Sequence, residues 1–467
     1  MPLEDMSLPV PASVKQLLEN QKVDYHIADT SQDGALRDQK LRQMGAAKSL
    51  ILQDAQGRVQ VVIAANCLLD INAANQQIGR DMRPATNGEL QPFFDKHQLD
   101  SIPALPKLAG MPTLVDKRLL DVETLYLDAG TNDELLEVKQ ADFANMVADA
   151  TVCDIAIPLI DLEQPSTNSD EDDIFAAVKT FTGLRIKQRL EETLELPPLP
   201  QTAQRIIKLR VDPNADISDL ANIVETDPSL AAQVVSWASS PYYSAPGKIK
   251  SIHDAIVRVL GFDMVLNLAL GLALGKTLSM PKDGPQGVSP YWMQAVYTAA
   301  AVEGLVTAIP REHRPGFGMA YLSGLLHNFG YLILAEIFPP HFSSICRHIE
   351  ANTHVPSQLV EKHVLGVNRD QLASWLMQLW NMPEEVVVAL RNQNEPDFEG
   401  EHNEYGKLLF VAQRLLQQRG ICQGPKLEVP ESVYRQLHLD PEKANTTIDN
   451  IIASADELNN IAGQLDA

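Results

Sequence analysis

Few residue types in this chain are placed to do chemistry. Cys67, Cys153, Cys346 and Cys422 lie far apart and form no CxxC pair, which argues against a structural zinc site or redox dithiol and fits a reducing compartment. Among the histidines, His341, His348 and His354 fall at uneven spacing, His363 stands alone, and no HExxH pair occurs. They read as surface or cap residues, with no local metal motif. The run Gly271-Leu-Ala-Leu-Gly275-Lys276-Thr277 approaches a phosphate loop, but it has three residues between its glycines where a Walker loop has four. It also ends an apolar helix and does not join a strand to a helix, so its glycines suit close helix packing. Trp237, Trp292, Trp375 and Trp380 read as core anchors. Lys48 heads an apolar strand-like run, where it could hold an anionic ligand or simply face solvent.

The elements around these residues divide the chain. At about 150 residues per domain, 467 residues suggest roughly three units. A hydrophobic fraction of 45% can build a full core. The net charge of −23 repels polyanions, so DNA and anionic lipid are not expected partners. Segment 161–173, DLEQPSTNSDEDD, has six acids and no base and reads as a solvated linker that a protease cuts first, leaving two folded fragments. Before it, 59–64 and 124–127 read as strands and 14–19 and 140–147 as helices. After it come long apolar-periodic segments with Pro or Asp-Pro stops, an all-helical half with Ser218 as one N-cap and Asp227-Pro228 as another helix start. The most apolar run, 265–275, falls short of the roughly 20 residues a bilayer requires. The acidic start of the chain, with no apolar segment behind it, predicts a cytoplasmic protein without membrane insertion.

In the helical half, Leu196-Pro-Pro-Leu-Pro-Gln-Thr-Ala, then 217–235, then Lys248-Ile-Lys-Ser-Ile-His-Asp-Ala, resemble the HDOD family over about 196–416. That resemblance implies an all-α bundle of the HD superfamily, whose enzymes hold divalent metal on histidines and aspartates from several helices. Carried onto this chain, the ligand positions fall on Gln294, His327, Asn328, Arg369, Gln393, Asn394 and Gln413. Of these only His327 is an ordinary ligand, and it reads as an interior histidine. The resemblance therefore implies no metal and no cofactor, and a module that signals through protein contacts.

The first half carries Met44-Gly-Ala-Ala-Lys48-Ser-Leu-Ile, then Pro112-Thr-Leu-Val-Asp116 and Ala129-Gly130. This order resembles the YbaK and prolyl-tRNA-synthetase-associated aminoacyl-tRNA deacylases over about 10–150. It implies a compact α/β fold in which Lys48 would hold tRNA near the ester and a Ser-Pro loop at Ser101 and Pro103, with Gly130, would line the pocket. The loop lacks the family's preceding glycine, and Asp100 would oppose a developing oxyanion.

The expectation is thus an α+β domain at 1–160, an acidic linker and entry helix at 161–190, and an all-α HD-superfamily domain at 191–467. The function expected is that of a bacterial cytoplasmic regulator whose HDOD module meets signalling proteins. The alternative is a trans-acting aminoacyl-tRNA deacylase with the HDOD half as a regulatory appendage.

Overall fold

The computed structural model describes residues 10–29, 37–131, 134–181, 198–244, 247–422 and 424–466. Leu196 and Pro197, where the HDOD resemblance begins, and the approach to them through 182–195 lie outside these residues.

Apolar runs within 47–64, alternating at first in one strand and continuously buried from Val59 in the other, make the central hairpin. Strands β2 (Ala47–Asp54) and β3 (Gly57–Ala64) pair antiparallel, with Lys48 opposite Ile63. Their turn is closed by the Asp54 carboxylate, which accepts from the amides of Gln56 and Gly57, while Gly57 takes φ 147°. Around this hairpin the order is β1 (Tyr25–Asp29), β8 (Glu134–Lys139), β7 (Thr124–Asp128), β2, β3, β6 (Thr113–Asp116) and β9 (Thr151–Cys153). The short β5 (Arg83–Pro84) pairs with β2. A separate ribbon joins β4 (Cys67–Leu69) to β10 (Ala156–Pro158). Helices Ala12–Gln21 and Gln140–Met146 lie where the sequence places them, so this half is α+β.

Every regular element described beyond β10 is helical. The glycines of the apolar helix Phe262–Gly275 act as packing surfaces: a Cβ on Gly271 would meet Leu325 at 2.5 Å and one on Gly275 would meet Trp292 at 2.3 Å. Two sequence expectations change. Asp216, not Ser218, caps helix Ile217–Glu225, forming a capping box with Asp219, because a carboxylate one position before the helix reaches the third amide. The acidic stretch is solvated only in part. Residues 163–169 are exposed, but helix Asp170–Phe181 buries Ile174, Ala177 and Val178, and Asp170 pairs with Arg391. Its apolar positions follow the acids and so lay beyond the window that read as linker.

The two halves share a packed seam. Leu68 of β4 sits in the helical core, and Ala351 of helix Pro339–Ala351 sits in the core of the sheet half. The free edge of β4 is completed by the Asn352 amide, whose Oδ1 accepts from Leu69 N at 2.7 Å and whose Nδ2 donates to Leu69 O at 3.0 Å. His354 Nε2 lies 3.0 Å from the carbonyl of Cys67. A buried backbone group left unpaired costs about 1–3 kcal/mol. Replacing Asn352 by Ala strands two, so Asn352→Ala should lower unfolding free energy by about 2 kcal/mol or more. Protease should nick 163–169, and the fragments of the wild type should co-elute on gel filtration while those of Asn352→Ala separate.

Candidate functional site

The helical half holds a cavity of about 380 Å³. Gln294, His327, Asn328, Arg369, Gln393, Asn394 and Gln413 all line it, so the seven positions singled out in the sequence converge. His327 ends helix Phe317–Leu326 and Asn328 begins helix Phe329–Ile337. The second of these helices touches the start of helix Arg369–Leu379, since a Cβ on Gly330 would lie 2.0 Å from the Arg369 carbonyl. That contact sets a guanidinium beside the His-Asn pair.

The site is filled with amides and one charge pair. Arg369 Nε donates to Glu361 Oε1 at 2.6 Å, its backbone amide donates to Oε2 at 2.9 Å, and Nη1 donates to Asn328 Oδ1 at 2.7 Å. The guanidinium also lies 5.4 Å from the centre of the Tyr331 ring. Glu361 is wholly buried. Gln393 donates to Asp370 Oδ1 and Asn394 to Oδ2, both at 2.8 Å, and Gln413 donates to Gln393 Oε1 at 2.8 Å. Burial pushes the Asp370 carboxyl up to about 7, against the pull of Asn394. His327 Nδ1 meets the Gly324 carbonyl at 2.9 Å, and burial, aided by Arg369, holds this imidazole down to about 4. It is neutral at pH 7. Amide nitrogens and a guanidinium are hydrogen-bond donors and do not supply the anionic oxygens that paired cations require. Glu361, Asp370 and Tyr331 were missed in the sequence. Only the neighbour relation of Asp370 to Arg369 hinted at it, because the packing of one helix on the next has no local spacing.

In the sheet half, Ser101, Pro103 and Gly130 come together. Gly130 takes φ 86°, and a Cβ there would meet Leu99 at 2.6 Å and Pro103 at 2.7 Å. Ser101 Oγ donates to Asp128 Oδ1 at 2.9 Å. The amides of Asp100 and Ser101, which could face an oxyanion, both donate to the Gly130 carbonyl, at 2.8 and 3.3 Å. Lys48 leaves β2 on the face opposite Ser49, and Ser49 is bound by Gln60, which also donates to the Pro103 carbonyl. His354 is held down to about 3 by burial and then by the charge of Lys48.

The seam also corrects the reading of the histidines. His348 and His354 are buried, and His363 lies beside Asp70 and does not stand alone. The sequence shows no sign that this turn of the helical half meets the other half. A second cavity of about 530 Å³ opens there, lined by Arg42, Asn66, Glu163 and Pro430 and sharing Phe410 and Arg414 with the first.

The folds and sites define a protein in which an editing-type α+β domain is joined to an HDOD helical domain. Residues 30–146 match the aminoacyl-tRNA editing domain family and 196–396 the HDOD domain family. A protein of Marinobacter aquaeolei VT8 named for signal transduction has a crystal structure 43% identical in sequence, with a TM-score of 0.89 over 99% of this chain and 100% of that one. The chain belongs to that two-domain family. An HDOD domain protein of Geobacter sulfurreducens is 20% identical over 64% of this chain and 99% of that one, with a TM-score of 0.47. An uncharacterised protein of Treponema pallidum (strain Nichols) is 24% identical over 212 residues, 45% of this chain; the chain spans 39% of that curated relative's length.

Two outcomes follow from the cavity. Arg369→Ala leaves Glu361 buried without its partner, which should lower stability by about 3–5 kcal/mol in denaturant unfolding. His327 contributes stability that is present above its unfolded value near 6.5 and lost as pH falls through about 4, because the unfolded chain takes up a proton that the native imidazole refuses. Asp370 has the opposite sense, its contribution being lost as pH rises from the ordinary range through about 7. Subtracting the stability profile of His327→Gln from that of the wild type should therefore isolate a loss of up to about 3 kcal/mol between pH 6.5 and 4.

Proposed function

We propose that this chain is a cytoplasmic regulator of bacterial type in which a catalytically silent HDOD module signals through protein contacts and the editing-type domain serves as a ligand-binding or sensing unit. The observation that carries this reading is Arg369. A guanidinium, ion-paired to buried Glu361 and bonded to Asn328, stands where the HD resemblance expects a metal ligand. A cation fixed at that point repels the metal that phosphodiester chemistry of this type needs. The signal-transduction name of the Marinobacter relative, which matches along the whole chain, supports the same reading. So does the net charge of −23, which opposes RNA and DNA binding. Among the described residues no helix is long and apolar enough to cross a membrane.

A second reading, trans-acting hydrolysis of mischarged tRNA, is favoured by the editing-family match at 30–146 and by a lysine at position 48. Against it, the loop amides that would stabilise an oxyanion are committed to Gly130. The full chain assayed against a panel of mischarged tRNAs separates the two. The regulator should give no hydrolysis above buffer, and Lys48→Ala should change nothing. A deacylase should release amino acid from at least one tRNA, and Lys48→Ala should slow it more than about tenfold, roughly 1.4 kcal/mol of transition-state stabilisation.

A further inference from the structure

At the seam, Asp70 and two histidines of the helical half form the cluster of possible ligands that stands apart from both cavities. Asp70 follows β4, His348 lies in helix Pro339–Ala351, and His363 lies in helix Ser357–Leu365. Their ligand atoms all fall within 4.8 Å of one another. His348 Nε2 is 3.8 Å from Asp70 Oδ1, and His363 Nε2 is 3.6 Å from Asp70 Oδ2. Both distances exceed hydrogen-bond reach.

His348 makes the arrangement informative. The residue is 1% exposed, and its Nε2 has no hydrogen-bond partner. Its Nδ1 lies 2.9 Å from the Ser344 carbonyl, which accepts only if Nδ1 carries the proton. In the neutral ring Nε2 then presents a buried lone pair towards a carboxylate. Two electron-rich groups facing each other in a partly buried seam repel unless something positive lies between them. A backbone carbonyl bound to the far nitrogen is also the arrangement that orients metal-binding imidazoles. Asp70 is fixed in turn, because Oδ1 accepts from the amides of Asn72 and Ala73 and caps helix Ile71–Ile78. The Ala73 amide holds its carboxyl down against burial. It is a carboxylate at neutral pH.

We infer that Asp70, His348 and His363 form a divalent transition-metal site that clamps the editing-type domain to the helical domain. Two imidazoles and one carboxylate suit zinc, cobalt, nickel or ferrous iron better than magnesium or calcium. The ligand atoms stand slightly wider than the about 3.3 Å separation of a tetrahedral zinc shell, so small side-chain rotations close the shell. The side chains of Asp70 and His363 are 24% and 18% exposed, which leaves an entry path and open positions for water. The site uses none of the seven HD-type positions and does not rest on the regulatory reading.

The test is metal binding by the full chain. Protein stripped with a chelator is titrated with Co²⁺, followed by its visible absorption, and then with Zn²⁺, followed by elemental analysis and thermal unfolding. One ion per chain is expected, with a raised melting temperature. His363→Ala should weaken binding more than about tenfold. Asp70→Asn should do the same while keeping the helix cap, since asparagine caps as well as aspartate. His327→Ala should leave binding intact. Failure of the wild type to bind either ion, or binding unchanged in both His363→Ala and Asp70→Asn, or loss of binding in His327→Ala with retention in the seam variants, overturns the inference.

Discussion

The ion pair of Arg369 with Glu361 organises one wall of the cavity in the helical half. Glu361 is wholly out of water, and a buried carboxylate survives only with a partner held in good geometry. Arg369 supplies that geometry twice, through the guanidinium Nε and through its backbone amide. To reach Glu361 it must start from the first turn of its helix, which Asn368 caps. The backbone of Arg369 lies against Gly330, where only a hydrogen fits beside the Arg369 carbonyl. Three helices, Phe329–Ile337, Ser357–Leu365 and Arg369–Leu379, thereby meet around one charge. The amides of Gln393, Asn394 and Gln413 then close a network on Asp370 in the cavity wall.

The second organising contact is between domains. A β-edge normally pairs with another strand, yet β4 pairs on its open side with the side chain of Asn352, 283 residues away. The amide reproduces one residue's worth of ladder bonding. Because Leu68 and Ala351 also cross into each other's cores, the two halves meet as parts of one packed body and not as beads on a tether. The second cavity lies on that boundary and shares Phe410 and Arg414 with the first. A change at the seam therefore has a physical route to the wall of the HD-type cavity.

Much of this was legible in the chain. Apolar patterning gave the strand at 59–64 and the switch to helices, and the HDOD resemblance brought seven separated positions to one cavity, where the structure places them. Ser218 gave way to Asp216 because the two differ by two residues and both cap well, and only the helix phase decides between them. Glu361 was invisible because its partner lies on the next helix, in a packing relation that no local spacing records. His348, His354 and His363 were read as surface or solitary residues for a related reason: what surrounds them comes from β4, nearly three hundred residues earlier, and long-range contacts leave no trace in local pattern.

The exchange of Leu68 and Ala351 has a consequence for how the chain is made. Leu69 and Asn352 are separated by 283 residues, and at translation rates of about 5–20 residues per second the ribosome takes roughly 15–60 s to pass from one to the other. During that interval the editing-type domain has left the exit tunnel with an apolar side chain protruding and a strand edge unpaired. An exposed edge of that kind is a template for wrong pairing. β4 is only three residues long, and its brevity limits what a nascent neighbour could add to it while the proper partner is still being synthesised.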